Sequence, residues 1–296
     1  MNCLNDNYEK EGLKLMIQDI FPHVFHNEFE IKSPTDESFF FYFSDGAICL
    51  TEGDTKAIPR FSSLREEDCS RFKSHCDFLF SIDQMDFFLV DESCVTLTDT
   101  PGICLNKVSI LRELTPMWLS FSAVCASQLH RFYSTSRYCG CCGAEMIKSK
   151  KERSMVCSSC GNTVYPKISP AVIVGIIHDG KLLLTKYAGR EYTRYALIAG
   201  YTEFGETLED TVKREVMEEV GLRVKNIRYY KNQPWGISDS ILVGYWAELD
   251  GSPQVTLDET ELSTAVWMAP EDIPDDFTNI SLTHEMILLF KNGKIE

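Results

Sequence analysis

Residues 200–222 read GYTEFGETLEDTVKREVMEEVGL, and six of these 23 positions are glutamate and one is aspartate. Thr207 followed by Asp210 has capping-box spacing, and Gly221 stands where the residue just past a helix end belongs, so the pattern predicts a helix over 208–220. Leu208, Val212, Val216 and Val220 step by four and form its apolar stripe. At about 100° per residue, Glu215, Glu218 and Glu219 fall within an arc of roughly 100° bordering that stripe, with Glu219 aimed toward Leu208 and Val212. A solvated face does not account for this. Like charges on neighbouring turns repel, and a carboxylate at the core margin is costly unless something compensates it. A divalent cation resolves both difficulties, because Mg²⁺ or Mn²⁺ takes converging carboxylate oxygens, particularly when shared with substrate phosphates. Gly200 and Gly205 supply backbone turns that side chains would block.

The rest of the chain sets bounds. Its 296 residues, 44% of them hydrophobic, suffice for real cores, and the balance of 29 Lys+Arg against 44 Asp+Glu gives a formal charge of −15. Such a surface repels nucleic acid and anionic membrane, so an anionic ligand needs a local site with its own cations. The first residues, MNCLNDNYEKEGLKL, lack the pattern of a secretory signal, and no apolar stretch approaches the roughly 20 residues that span a bilayer. The expectation is a cytoplasmic protein with no membrane partner.

Twelve cysteines are unevenly placed: seven lie upstream of residue 139, five fall in 139–160, and none follows. Cys3, Cys49, Cys69, Cys76, Cys94, Cys104 and Cys125 have no ligand-like spacing and read as buried, reduced thiols. Cys139 with Cys142 and Cys157 with Cys160 form two C-x-x-C knuckles separated by 14 residues. Each tight turn aims two thiolates at one ion, so the four predict a closed, structural Zn²⁺ site. Cys141 could replace Cys139 or Cys142, although spacing favours the latter two.

Upstream, FFFYFSDGAICLTEG reads as a hairpin turning at Asp45-Gly46, and CDFLFSID and MDFFLVDES add strand-like runs. Residues 115–133 have helical periodicity and connect this region to the knuckles. Downstream, AVIVGIIHDGKLLLTKY gives a hairpin at Asp179-Gly180; strand-like SILVGYWAEL and STAVWMA and a last helix near SLTHEMILLF follow. This alternation predicts an α/β (α+β) layered fold with a mixed sheet. Three parts are expected: a mixed domain over 1–134 ending in the connecting helix, a zinc ribbon over 135–166, and a catalytic domain over 167–296.

Gly200, Glu206 and the run Arg214-Glu215-Val216-Met217-Glu218-Glu219-Val220-Gly221-Leu222 reproduce every fixed position of the Nudix box. The chain therefore resembles the Nudix hydrolases, whose loop-helix-loop binds divalent metal and hydrolyses a nucleoside diphosphate linked to another moiety. The resemblance implies that Glu215, Glu218 and Glu219 hold Mg²⁺ or Mn²⁺ and that Arg214 orients a glutamate. It also implies an α/β/α sandwich.

A four-Cys ribbon before the box and NQPWGISDS after it are similar to the NADH pyrophosphatase family, over about residues 113–296. That family's motif reads S-Q-P-W-P-F-P-x-S. Gln233, Pro234, Trp235 and Ser240 match it, whereas Asn232, Gly236, Ile237 and Ser238 depart. The resemblance implies hydrolysis of NADH or NAD⁺ to nicotinamide mononucleotide and AMP, removal of NAD caps from RNA as a second activity, and a homodimer. It gives Tyr201 a base-stacking role, Tyr165 a place across the dimer interface, and Gln233, Trp235 and Ser240 places at the substrate. Glu261 becomes a further ligand or base. Losing Pro-Phe-Pro for Gly-Ile-Ser removes two fixed φ angles, which predicts a looser specificity loop. ADP-ribose, diadenosine polyphosphates and FAD stand as alternative substrates. A non-catalytic nucleotide sensor is the rival of another class, set against it by the three intact box glutamates.

Overall fold

The computed structural model describes residues 16–97, 100–189, 194–275 and 281–295. Its contacts divide the chain into two compact units, one of Ile17–Lys167 and one of Ile168–Glu296 joined by Met16.

In the first unit, β1 (Phe25–His26), β5 (Cys76–Ile82), β6 (Met85–Val90) and β2 (Phe39–Phe41) form one sheet in the order β1-β5-β6-β2. A second sheet joins β3 (Phe43–Ser44), β4 (Ala47–Thr51) and β7 (Ile103–Lys107). The β3–β4 turn lies at Asp45-Gly46, both at positive φ (49° and 72°), as a two-residue hairpin of this twist requires. Phe40, Phe61, Phe72 and Phe88 are fully buried and pack edge-on or tilted. Helix α1 (Glu66–Ser74) contributes Phe72, and α2 (Met117–Thr135) runs on toward the knuckles. The ribbon strands β8 (Met146–Lys148), β9 (Met155–Cys157) and β10 (Thr163–Val164) belong to this same compact unit. Five of the six described upstream cysteines are buried or partly buried. Cys94, however, is exposed at the end of a turn, against expectation, and Cys3 lies outside the described residues.

In the second unit a six-stranded mixed sheet runs β14 (Val224–Trp235), β15 (Ser240–Leu249), β11 (Ser169–His178), β12 (Lys181–Tyr187), β16 (Leu262–Met268), with β13 (Ile198–Tyr201) also on β11. Strands β11 and β15 are parallel; the remaining pairs are antiparallel. Helix α3 (Leu208–Val220) covers one face and α4 (Leu282–Lys291) the other. Val212, Val216 and Val220 are fully buried against Val172, Val174 and Tyr245, while Met286 and Ile287 pack with Trp246 and Leu184. Both faces of the sheet are therefore apolar.

The NQPWGISDS segment differs from its expectation. Asn232 to Trp235 continue β14, paired with Val243 down to Ser240, and only Gly236 to Asp239 form a turn. Strand pairing satisfies the backbone groups that a loose loop would leave to solvent. Asp239 takes φ 55°, and its carbonyl accepts from the Ser169 amide at 2.7 Å.

Candidate active site

Helix α3 starts and stops as its sequence dictates. The Thr207 hydroxyl accepts from the Asp210 amide at 3.2 Å, and Gly221 takes a left-handed φ of 66° to close the C-terminus. The buried valines then fix its rotation. Glu219 (3% exposed) and Glu215 (9%) are turned to the core margin, and the Glu218 carboxylate stays largely in solvent.

Arg214 gathers these carboxylates. Its Nε donates to Glu206 Oε1 at 2.6 Å and Nη2 to Glu206 Oε2 at 3.0 Å, while Nη1 reaches Glu215 Oε1 at 2.7 Å and Glu218 Oε2 at 2.9 Å. Nη2 also donates to the Tyr201 carbonyl at 2.8 Å, tying the helix to the end of β13. Glu206 is held in turn by the Thr211 hydroxyl at 2.9 Å and the Glu203 amide at 3.1 Å. The Arg214 hydrogen bonds and the Glu203 amide pull the Glu206 carboxyl down to about 2, and Glu206, joined by Glu215 and Glu218, raises the Arg214 pKa. Burial pushes the Glu215 carboxyl up, and the charges of Glu218 and Glu261 act in the same direction.

Gly200 makes room for this cluster. A Cβ built there would fall 1.9 Å from Glu215 Cδ and 2.1 Å from its Oε1, so the carboxylate lies directly against the β13 backbone. A methyl group would fill this cradle. The donors here, carboxylate oxygens of Glu215, Glu218 and Glu219 with the charge of Glu261 near enough to act on Glu215, are of the hard type that a divalent cation takes. Glu261 is exposed, just before β16, on a loop fastened to the end of α3 by Thr256 N to Val220 O (2.9 Å) and Asp258 N to Glu219 O (3.0 Å).

Beside the cluster, Tyr201 is half exposed, and its hydroxyl lies 3.2 Å from the buried Ser240 Oγ. The two meet because Ala171 pairs with Tyr201 and Ser169 with Ser240 on opposite edges of β11. Trp235 sits directly across β14–β15 from Ser240. Gln233 is placed differently from the sequence expectation. It is fully buried, and its Oε1 accepts from the Leu282 amide at 2.7 Å, so it caps α4 where the Ser281 side chain does not. Its burial places Gln233 against the start of α4. Tyr165 lies in the other unit, exposed, with its hydroxyl donating to Glu152 at 3.0 Å. Sequence reasoning gave Glu206 no role, although its fixed place in the box was the available signal.

In the ribbon, the Sγ atoms of Cys139, Cys142, Cys157 and Cys160 all lie within 4.8 Å of one another, with Cys139 to Cys160 at 3.6 Å and Cys142 to Cys157 at 3.5 Å. Such spacing suits a tetrahedral ion with bonds of about 2.3 Å. Amides of Cys142 and Cys141 pull the Cys139 thiol down to about 6, toward the ligating thiolate. Cys141 is exposed and outside the set, contributing its backbone N–H to Cys139 Sγ at 3.4 Å.

Residues 167–286 match the family model described as NUDIX domain, and residues 134–165 match that described as NADH pyrophosphatase zinc ribbon domain. Curated relatives named NAD-capped RNA hydrolase NudC, from Escherichia coli O1:K1 / APEC and from Shigella flexneri, are 44% identical over 147 residues. The match covers 50% of this chain and 57% of each relative, so the chain spans about half the length of these proteins. A crystal structure of a NUDIX hydrolase from Nitrosomonas europaea is 21% identical, with a TM-score of 0.45, covering 53% of this chain and 91% of that one. Among the described residues no helix is long and apolar enough to cross a membrane.

Proposed function

We propose, from a NUDIX domain carried directly behind an NADH pyrophosphatase zinc ribbon domain, that this chain hydrolyses the diphosphate of NADH or NAD⁺ to nicotinamide mononucleotide and AMP, and removes NAD caps from RNA. The observation that carries the reading is the Arg214 cluster, which brings Glu206, Glu215 and Glu218 to one guanidinium beside the half-exposed Tyr201. The relatives' printed name, NAD-capped RNA hydrolase, points to the same dinucleotide.

Glu215, Glu218, Glu219 and Glu261 would hold Mg²⁺ or Mn²⁺. When bound, the ion compensates charge on the diphosphate and makes the attacking water more acidic. Arg214 holds Glu215 and Glu218 in place while Glu206 fixes Arg214, so the carboxylates are oriented before substrate arrives. Tyr201 offers a flat apolar face to a base of the dinucleotide, with Ser240 setting its hydroxyl and Trp235 backing Ser240 across the strands. Glu261 serves as a further ligand or as the base that takes the proton of the attacking water. Tyr165 completes the site from the second subunit of a homodimer, the ribbon holds one structural Zn²⁺, and the protein works in the cytoplasm.

Product analysis with NADH, NAD⁺, NAD-capped RNA, ADP-ribose, FAD and diadenosine polyphosphates tests this, each with Mg²⁺ and with Mn²⁺. Nicotinamide mononucleotide and AMP should form fastest from NADH or NAD⁺, and Glu219→Gln should abolish turnover in a folded protein. Faster cleavage of another diphosphate would move the substrate to whatever the Gly236–Asp239 turn admits. Near-normal turnover in Glu219→Gln would remove the metal assignment.

A further inference from the structure

The first unit contains a cavity of about 310 Å³ that the Nudix chemistry does not use. Its walls are the end of β6 and the following turn, the C-terminal half of α2, and the ribbon. This volume lies at the lower end of the roughly 300–1,000 Å³ typical of small-molecule sites.

Three groups sit side by side on its wall, with Glu92 and Arg137 in a loose ion pair. Glu92 Oε1 lies 3.8 Å from Arg137 Nη2 and 3.9 Å from His130 Nε2, both too long for direct hydrogen bonds. Two of the neighbouring charges are already engaged: Asp91 accepts from the Ser93 hydroxyl at 2.6 Å, and Lys148 pairs with Asp77. Glu92 and Arg137 thus present an acceptor and a donor to the same space. Burial, helped by the charges of Arg131 and Arg137, pushes His130 down to about 4, so near neutral pH it adds a neutral imidazole.

This lining is selective. Asp91, Glu92 and Glu145 disfavour a bare anion, while Arg137 and Lys148 disfavour a bare cation. A neutral, planar group with donors and acceptors on one edge suits such a lining. Tyr138, 70% exposed, offers it a stacking face. Its backbone is bridged to Glu145 and it immediately precedes Cys139, so the ribbon fixes the backbone from which the ring projects.

We propose that this cavity binds a purine base, guanine in preference: the N1–H and N2–H₂ donors meet the Glu92 carboxylate, O6 accepts from Arg137, and Tyr138 stacks on the ring. The base could come from a free nucleoside or from an RNA strand. Because its contacts are to base edges and not to phosphate, the site is compatible with a chain of −15 formal charge. It stands independently of the diphosphate reading.

The test titrates the full-length, zinc-loaded protein with guanosine, uridine, a short guanine-containing RNA and oligouridylate. Saturable binding of guanosine or of the guanine-containing RNA is expected, with at least tenfold weaker binding in Glu92→Gln and in Arg137→Met and unchanged dinucleotide hydrolysis. Guanosine binding would identify a nucleoside site, and RNA binding alone would identify a strand. Absence of both, equal binding of the uridine ligands, or wild-type affinity in both variants would overturn the proposal. Should either variant misfold, photocrosslinking of 6-thioguanosine to the wild-type protein still decides. Adducts should map to the peptide containing Tyr138, and adducts confined to 168–296 would exclude the site.

Discussion

Arg214 and Glu206 form a two-point ion pair, Nε to Oε1 at 2.6 Å and Nη2 to Oε2 at 3.0 Å, and this fork leaves Nη1 to bridge Glu215 and Glu218. One residue therefore sets the spacing of three carboxylates. Lysine carries the same charge but cannot reproduce the fork. Arg214→Lys should lower kcat by about 10- to 100-fold and raise the Mg²⁺ concentration needed for half activity, as loss of an orienting partner does. The melting temperature should move by only a few degrees. Activity within twofold of wild type at all Mg²⁺ concentrations would show that charge alone suffices.

Gly200 tests the cradle from the other side. Alanine there places a methyl carbon about where Glu215 Cδ now stands, 1.9 Å away. Either the β13 backbone or the Glu215 carboxylate must shift. Gly200→Ala should cost about 1–3 kcal/mol in stability, the range for overpacking, and remove most turnover. Denaturant midpoints and kcat measured together check this; an active variant of normal stability would mean that Glu215 has room to move.

Helix α3 was legible because every signal agreed: the cap at Thr207, the valine stripe and Gly221 bound it at the residues where the structure begins and ends it. Strand β15 and the two Asp-Gly hairpins were legible for the same reason. Gln233 was not. A polar residue in a surface-like motif gives no local sign that it will face inward, and its partner, the Leu282 amide, lies 49 residues away. Glu206 was hidden differently, since its partner is eight positions on and its role appears only when Arg214 folds back over the loop.

Gln233 follows with its own test. Gln233→Leu keeps a similar volume but leaves the Leu282 amide without its acceptor at a buried helix start, a loss of about 1–3 kcal/mol. The Michaelis constant for NADH should be unchanged. A raised Michaelis constant with unaltered stability would return Gln233 to the substrate.

The ribbon depends on its ion. Its apolar cluster consists of Phe132, Cys139, Met146, Met155 and Cys157, with Tyr133, Ala144 and Val164 partly buried against it, a small core in which bonds from four thiolates to one ion would add much of the local stability. About one zinc per chain should be found, and its removal by a chelator should expose the thiols of Cys139, Cys142, Cys157 and Cys160 to modification together. A zinc-free protein with those thiols still protected would contradict the assignment.

The burial of His130 predicts the sign of a pH dependence in the first unit. The ring stacks on Phe43 at 4.8 Å, and burial is the main reason its pKa falls from the ordinary 6.5 to about 4. Well above pH 6.5 the imidazole is neutral in both folded and unfolded chains and contributes no slope. Between pH 6.5 and 4 the unfolded chain takes up a proton that the folded chain refuses, so stability falls as pH falls, by at most about 3 kcal/mol. Below pH 4 the contribution levels off. Carboxylates titrate in the same window, so the quantity to measure is the difference between wild type and His130→Gln. The variant should lose less stability than wild type on acidification from pH 7 to 4. Parallel stability curves for the two proteins would mean that the folded state protonates His130 as readily as the unfolded chain does.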